Sequence, residues 1–339
     1  MEIKDNGLRK DTASVRNGAE RVRRSASAYF ALQGIAVAVW WALLYVEPGM
    51  RRYFVLESNS ETSLLAFWLS DLMFLSVGSL VASWLCFRGH EYMRLAAWFV
   101  AGAVSHATIY CLAFTLMTDA GWLGIVMMFP AMIWSGVFAV GLSFEKTMFR
   151  EAAESSTGWI LAKTLVQIVV VWSVILVVFP YLITIVEDKI GISRLQFPLQ
   201  KPIAAIVFVA ISSIGVWGAV VMSRVGKGTP LPLDHAKKLV ILGPYAFVRN
   251  PMAVSGVGQG LAVAVLLGSP LVAAYALTGS LVWQLIFRPL EEDDLENRFG
   301  AEYVEYCKNV KCWIPRPNAY QIDGTADSSN SADSPLGRM

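Results

Sequence analysis

Charged residues are scarce in this chain. They make up 16% of its 339 residues while 55% are hydrophobic, whereas soluble domains are about a quarter charged. That balance excludes an ordinary water-soluble enzyme and a disordered or collagen-like chain. Lys+Arg and Asp+Glu number 28 and 26, so no excess of positive charge marks a nucleic-acid binder. The four cysteines, Cys86, Cys111, Cys307 and Cys312, form no CxxC pair, and the three histidines are scattered. No metal site is expected from them. What the chain does have is long apolar runs.

A spanning helix needs about 20 mostly apolar residues to cross roughly 30 Å of hydrocarbon. Residues 28–46, 64–87, 95–117, 122–144, 159–186 and 203–223 qualify outright. Two shorter runs, 252–267 and 271–287, are separated only by Gly268, Ser269 and Pro270. A helix-stopping Gly and a helix-starting Pro at that distance predict a membrane hairpin. The first run follows a basic segment, but it is too long for a signal-peptide core and no small-x-small site follows it, so it reads as an anchor. The expectation is an all-α, polytopic integral membrane protein of about eight transmembrane helices, the last two a hairpin followed by a cytoplasmic amphipathic segment.

Orientation follows from the basic residues. Of the 28, one set of alternate loops holds only Arg51, Arg52, Lys189, Arg194 and Lys201, and Lys163 lies within the fifth run. Both termini and the loop 224–251 are therefore expected in the cytoplasm. Residues 1–27 form a basic N-terminal segment and 28–200 a bundle of five helices. Residues 201–317 make a C-terminal module, and the polar stretch 318–339 is expected to be disordered. Tyr45, Trp122, Trp159 and Tyr181 fit an interfacial aromatic belt.

Ionisable residues inside spans are costly and are functional candidates by default. Asp71, His106 and Lys163 are the clear cases. Lys163 lies near an edge and can snorkel, whereas Asp71 and His106 fit an interhelical hydrogen bond better than a proton relay. The stretch Ser255-Gly256-Val257-Gly258-Gln259-Gly260 looks like a nucleotide loop but lacks the preceding strand. Small residues at that spacing are better explained by close helix packing.

The informative region is 239–315. It reads Leu239 to Met252 with Gly243-Pro244-Tyr245 and Val248-Arg249-Asn250-Pro251, then the hairpin, then Arg288-Pro289-Leu290-Glu291-Glu292. Phe299-Gly300, Tyr303, Tyr306 and Trp313-Ile314-Pro315 follow. A hairpin returns the chain to its starting face, so Arg249 and Asn250 should meet Arg288, Glu291 and Glu292, roofed by the aromatic segment. Each element also has a plain explanation. Asn250-Pro251 is a good helix start, Arg288 with Glu291 and Glu292 is at ion-pair spacing, and the aromatics form a docking stripe. Their joint order around a two-helix hairpin is what those explanations leave over.

At these residues the chain resembles the C-terminal module of the isoprenylcysteine carboxyl methyltransferase and phospholipid methyltransferase superfamily. The matching elements are Gly243-Pro244-Tyr245, Val248 to Met252, Arg288 with Glu291-Glu292, and Leu295. The match continues through Phe299-Gly300, Tyr303, Tyr306 and Trp313-Ile314-Pro315, with Gly228-Thr229-Pro230 as a lead-in. The family often has His at the position of Asn250 and Tyr at that of Ala253; the second change removes a hydroxyl and an aromatic face.

The resemblance implies a membrane enzyme that uses S-adenosylmethionine from the cytosol and takes a lipophilic acceptor laterally from the bilayer. It implies Arg288 and Glu292 as catalytic residues. It implies Val240, Leu242, Gly243, Pro244, Tyr245, Arg249, Asn250, Pro251, Glu291 and Tyr303 as cofactor-binding residues. An arginine would pair the cofactor carboxylate, Glu291 or Glu292 its ammonium or ribose, and a Tyr245 or Tyr303 ring its sulfonium. Methylation of a phospholipid amine or of a thiol, a sterol-type NADPH reductase, and a non-catalytic transport or assembly protein are the competing readings.

Overall fold

The computed structural model of the chain describes residues 2–54, 58–143, 150–151, 166, 169–226, 234–235 and 238–321. The expected start of the fifth span at 159 with Lys163, the glycine and prolines at 228–232, and the tail from 322 lie outside the described residues. Among the described residues the fold is helical apart from a two-residue parallel bridge between Arg150–Glu151 and Asp234–His235.

Helix α1 is Glu2–Val46, apolar from Gly18 onward. It is followed by α2 (Leu64–Arg88), α3 (Met93–Thr118), α4 (Trp122–Ser143), α5 (Val169–Ile190) and α6 (Gln200–Gly226). The hairpin is α7 (Pro251–Leu267) and α8 (Pro270–Val282), and α8 runs through a π-helical turn, Trp283–Phe287, into α9 (Arg288–Asn309). Among the described residues seven helices are long and apolar enough to cross a membrane, with α8 and α9 forming the last of them, and α7 is a shorter apolar helix. The expected eighth crossing is thus a helix of 17 residues. Large apolar side chains face outward along the spans, including Trp84 at 54%, Phe87 at 72% and Met117 at 87% exposure. Such a belt is stable against lipid, where helices satisfy their own backbone. The chain is an integral membrane protein.

The core of the N-terminal half gathers Phe30, Leu75, Val100, Val104 and Phe138 from α1 to α4. A polar layer crosses it. Gln33 donates to Ser79 Oγ at 3.0 Å, Ser135 donates to Gln33 Oε1 at 2.9 Å, and the Tyr29 hydroxyl bonds Gln33 and the Ala131 carbonyl. Asp71 is satisfied by Trp41, whose Nε1 donates to Oδ2 at 3.2 Å. His106 lies on the exposed side of α3. An interhelical hydrogen bond at Asp71 is present, but its partner is Trp41.

The N-terminal bundle also grips the C-terminal module. The Gly18 backbone N–H donates to Asp293 Oδ2 of α9 at 2.7 Å, and Gly141 of α4 lies against Ile286. Arg23 Nη1 donates to the carbonyls of Cys86 and Phe87, closing the end of α2, the favourable position for a cation.

The hairpin forms as its residues dictate. Asn250 caps α7 by accepting from Ala253 N at 2.9 Å, and Ser269 caps α8 by accepting from Val272 N at 3.0 Å, each with Pro in the first turn. Gly268 takes the left-handed conformation (φ 65°) that ends α7. Glu187 of α5 is fully buried, and its Oε1 accepts from Leu271 N at 2.8 Å. The Leu195 N–H donates to the Gly268 carbonyl at 2.8 Å, so the hairpin tip is held from α5 and its following loop.

The stretch 255–260 is a packing surface. Ser255 Oγ donates to the Ile211 carbonyl of α6 at 2.8 Å, and Gln259 bridges Trp172 Nε1 of α5 (2.6 Å) and Ser212 Oγ of α6 (2.8 Å). A Cβ on Gly258 would lie 2.7 Å from Ile211, and one on Gly260 2.9 Å from Ala276. Gly258→Val is expected to cost about 1–3 kcal/mol by overpacking, read as a lower melting temperature in detergent, while the equivalent change at Gly102, which faces open space, costs far less.

Candidate functional site

The open end of the hairpin is where the C-terminal sequence elements meet. The short 3-10 turn Gly243–Ala246 precedes it. A Cβ on Gly243 would press on Val221 and Trp217 of α6, at 3.0 and 3.2 Å, so the turn lies directly on that helix. Arg249 follows at the mouth of α7, and α9 begins at Arg288, where α8 returns.

One carboxylate oxygen joins the two ends. Glu292 Oε1 accepts from Arg249 Nη1 at 2.8 Å and from Arg288 Nε at 2.9 Å. The three side chains are 13–22% exposed, so the bridge is sheltered rather than a surface pair. The expected convergence therefore occurs for Arg249, Arg288 and Glu292, and Arg288–Glu292 is more than an isolated i, i+4 contact. Burial alone would draw a proton from Arg249, but Glu292 outweighs it with help from Cys307, holding the guanidinium above its ordinary value.

A C-terminal strap closes this end. Arg249 N donates to the Lys311 carbonyl at 3.1 Å, Arg316 N to the Phe247 carbonyl at 3.0 Å, and Tyr320 N to the Ala246 carbonyl at 2.9 Å. The chain is thus paired to the loop as far as Tyr320. The Tyr306 hydroxyl donates to the Tyr245 carbonyl at 2.6 Å. Tyr303, Tyr306 and Val310 form a small core with Leu239, Ile241, Leu295 and Phe299. The aromatic stripe of α9 builds the roof by packing on the loop.

Among the expected cofactor residues, Val240, Pro244, Tyr245, Pro251 and Tyr303 are buried, while Leu242 is 57% exposed. Asn250 Oδ1 is engaged in its cap. Burial pushes the Tyr245 hydroxyl well above its usual range, and the neighbouring Glu291 and Tyr306 push the same way. That hydroxyl has no hydrogen-bond partner. Five buried side-chain polar atoms among the described residues are unpartnered, and three of them, Tyr245 OH, Arg249 Nε and Arg316 Nη1, lie on this loop or on the strap paired with it. Buried polar groups are normally satisfied, and these three gather at one end of the hairpin.

Sequence reasoning missed four participants. Cys307 Sγ accepts from Arg249 Nη1 at 2.8 Å. Cys312 is buried beside the two arginines, and burial pushes its thiol up to about 11 against their pull. Arg316 lies over the Tyr320 ring at 5.6 Å. Gln284, the fourth, bonds both Arg288 and Trp313. Its only sequence signal is its place four residues before Arg288, on the same helical face.

No curated protein and no solved structure matches the chain. Residues 203–302, which run from α6 into α9, match the family model of the phospholipid methyltransferases.

Proposed function

We propose that the chain is an S-adenosylmethionine-dependent membrane methyltransferase acting on a lipophilic acceptor, with its site at the cytoplasmic face. The observation that carries this reading is the Arg249–Glu292–Arg288 bridge across the open hairpin, beside unpartnered buried Tyr245 OH and Arg249 Nε. These groups fit a ligand bearing a carboxylate, an ammonium and hydroxyls. The donors of Arg249 suit the carboxylate, and Glu291 suits the ammonium or a ribose hydroxyl. Asn250, Pro251 and the chain through Val240, Leu242, Gly243, Pro244 and Tyr245 form the wall, with Tyr303 packed behind it.

S-adenosylmethionine, when bound, supplies a methyl group already attached to a good leaving group. The work left to the protein is placement and the exclusion of water, and placement can contribute most of the acceleration. Arg288 orients the acceptor's anionic group and Glu292 fixes Arg288. Two guanidinium groups share one carboxylate, so the bridge keeps a net positive charge. That favours an anionic acceptor, a carboxylate or the phosphate of a lipid, and with it O-methylation of a carboxyl group as in the isoprenylcysteine enzymes. A carboxylate oxygen attacks without first losing a proton, whereas an ammonium headgroup needs a base. Along α6 a shallow groove of about 470 Å³, lined by Phe208, Val209, Ser212, Ser213, Val216 and Trp217, leads past the helix face that touches Gly243 and suits an approaching acyl or prenyl chain.

The test is a titration of the detergent-purified protein with S-adenosylmethionine, with NADPH in parallel. Ligand at 100 times its dissociation constant should stabilise the fold by about 2.7 kcal/mol, and Arg249→Ala should remove that gain. Stabilisation by NADPH alone, or by neither, would reject the reading.

A further inference from the structure

Gln284 lies in the π-helical turn Trp283–Phe287, at the point where α8 passes into α9. Such turns add a residue to the helix and often occur at functional sites. Its Oε1 accepts from two donors, Arg288 Nη1 at 3.0 Å and Trp313 Nε1 at 2.8 Å. Trp313 also meets Trp283 edge to face, with ring centroids 5.1 Å apart. Arg288 is therefore held from both sides along its helix, by Gln284 four residues before and by Glu292 four residues after.

The two holders differ in charge. Glu292 is shared with Arg249, while Gln284 accepts the hydrogen bond without bringing a negative charge. A carboxylate at 284 would make the same contacts and neutralise Arg288. A hydrocarbon would remove one of the two side-chain holds on Arg288 and the hydrogen bond to Trp313. We propose that Gln284 is a positioning residue that fixes Arg288 and the Trp313 strap together and leaves the Arg288 charge available to an anionic ligand group. That group is a carboxylate or a phosphate, supplied either by the cofactor or by a lipid acceptor. The cofactor arm of this inference rests on the methyltransferase reading; the lipid arm does not.

The experiment compares the full-length protein with Gln284→Glu and Gln284→Leu in detergent. Gln284→Glu should melt like wild type because both hydrogen bonds persist, whereas Gln284→Leu should melt lower. Each protein is titrated with S-adenosylmethionine, with its decarboxylated analogue, and with dihexanoyl phosphatidic acid as a soluble lipid phosphate. If the anion is the cofactor's, Gln284→Glu weakens S-adenosylmethionine about tenfold, the scale of one charge-assisted contact, and leaves the decarboxylated analogue unaffected. If it is the acceptor's, the loss falls on phosphatidic acid. Wild-type affinity of Gln284→Glu for both anions, or a melting loss in it as large as that of Gln284→Leu, overturns the proposal. Gln284-dependent binding of phosphatidic acid by a protein that ignores S-adenosylmethionine would sink the cofactor reading and uphold the anion site. Binding of neither ligand by wild type overturns both.

Discussion

Glu292→Ala is expected to abolish detectable methyl transfer and to lower the melting temperature of the C-terminal module. The carboxylate oxygen lies 2.8 Å from Arg249 Nη1 and 2.9 Å from Arg288 Nε, so the two guanidinium groups approach to about 6 Å or less. Without it, they repel by about 3 kcal/mol at an effective dielectric constant near 20. Removing one partner of a buried pair costs about 3–5 kcal/mol. Partial exposure of these side chains lowers that to about 2–3 kcal/mol. Arg249 keeps its contact with Cys307 and Arg288 its contact with Gln284, so the fold survives while the hairpin mouth splays. Glu296, exposed on the same helix, provides the control. Equal behaviour of Glu296→Ala and Glu292→Ala in melting and cofactor titration would show that the bridge does not organise the site.

Gly300→Ala is expected to have the next largest effect. Gly300 interrupts α9 with φ 54° and ψ −128°, a conformation in which a Cβ meets its own backbone. Beyond its chain neighbours and its own helix backbone, nothing lies within 4 Å of a Cβ built there, so the cost is that of the local backbone, about 1–3 kcal/mol. The bend divides α9 into a part carrying Arg288 and Glu292 and a part carrying Tyr303, Tyr306 and Cys307. A residue that resists the bend lifts the second part off Leu239 and Ile241, and the Tyr306 bond to the Tyr245 carbonyl goes with it. Weaker S-adenosylmethionine binding should accompany the lower melting temperature. Gly279, within α8 and facing open space, is the comparison; alanine there should be neutral or stabilising by up to about 1 kcal/mol. Similar results at both positions would show that the bend is dispensable.

The hairpin and the meeting at its mouth were legible because both rest on local chemistry. Gly268-Ser269-Pro270 and Asn250-Pro251 fix where helices stop and start, and a hairpin of nearly equal arms returns the chain to its origin. The continuity of α8 with α9 was not legible. Arg288-Pro289 reads as a break because proline removes a backbone donor and crowds the preceding turn. The π-helical turn, in which the Arg288 N–H bonds the Trp283 carbonyl, makes room for the ring. Asp71 and His106 were both expected in interhelical hydrogen bonds, but the rotation of α3 turns His106 outward, and nothing in the spacing of charged residues reports that phase. Glu187 lies one residue past the expected end of its span, so its burial was invisible to hydropathy. Gln284 belongs to no motif; only the fold brings Trp313 to it.

The 17 residues of α7 rise about 26 Å, less than the roughly 30 Å thickness of a bilayer's hydrocarbon core, while its neighbour α6 has 27 residues. A helix that short is accommodated by local thinning of the bilayer, by snorkelling of flanking residues or by association with other helices. On the proposed reading, with the lipid thinned, the loop carrying Arg249 would sit at the depth of the surrounding phosphates, and a lipid acceptor would reach the arginines by lateral diffusion, without its headgroup leaving the membrane plane. Acyl-chain length thereby becomes part of the site's energetics. Thicker bilayers pull against the mouth of the hairpin, and thinner ones let it close.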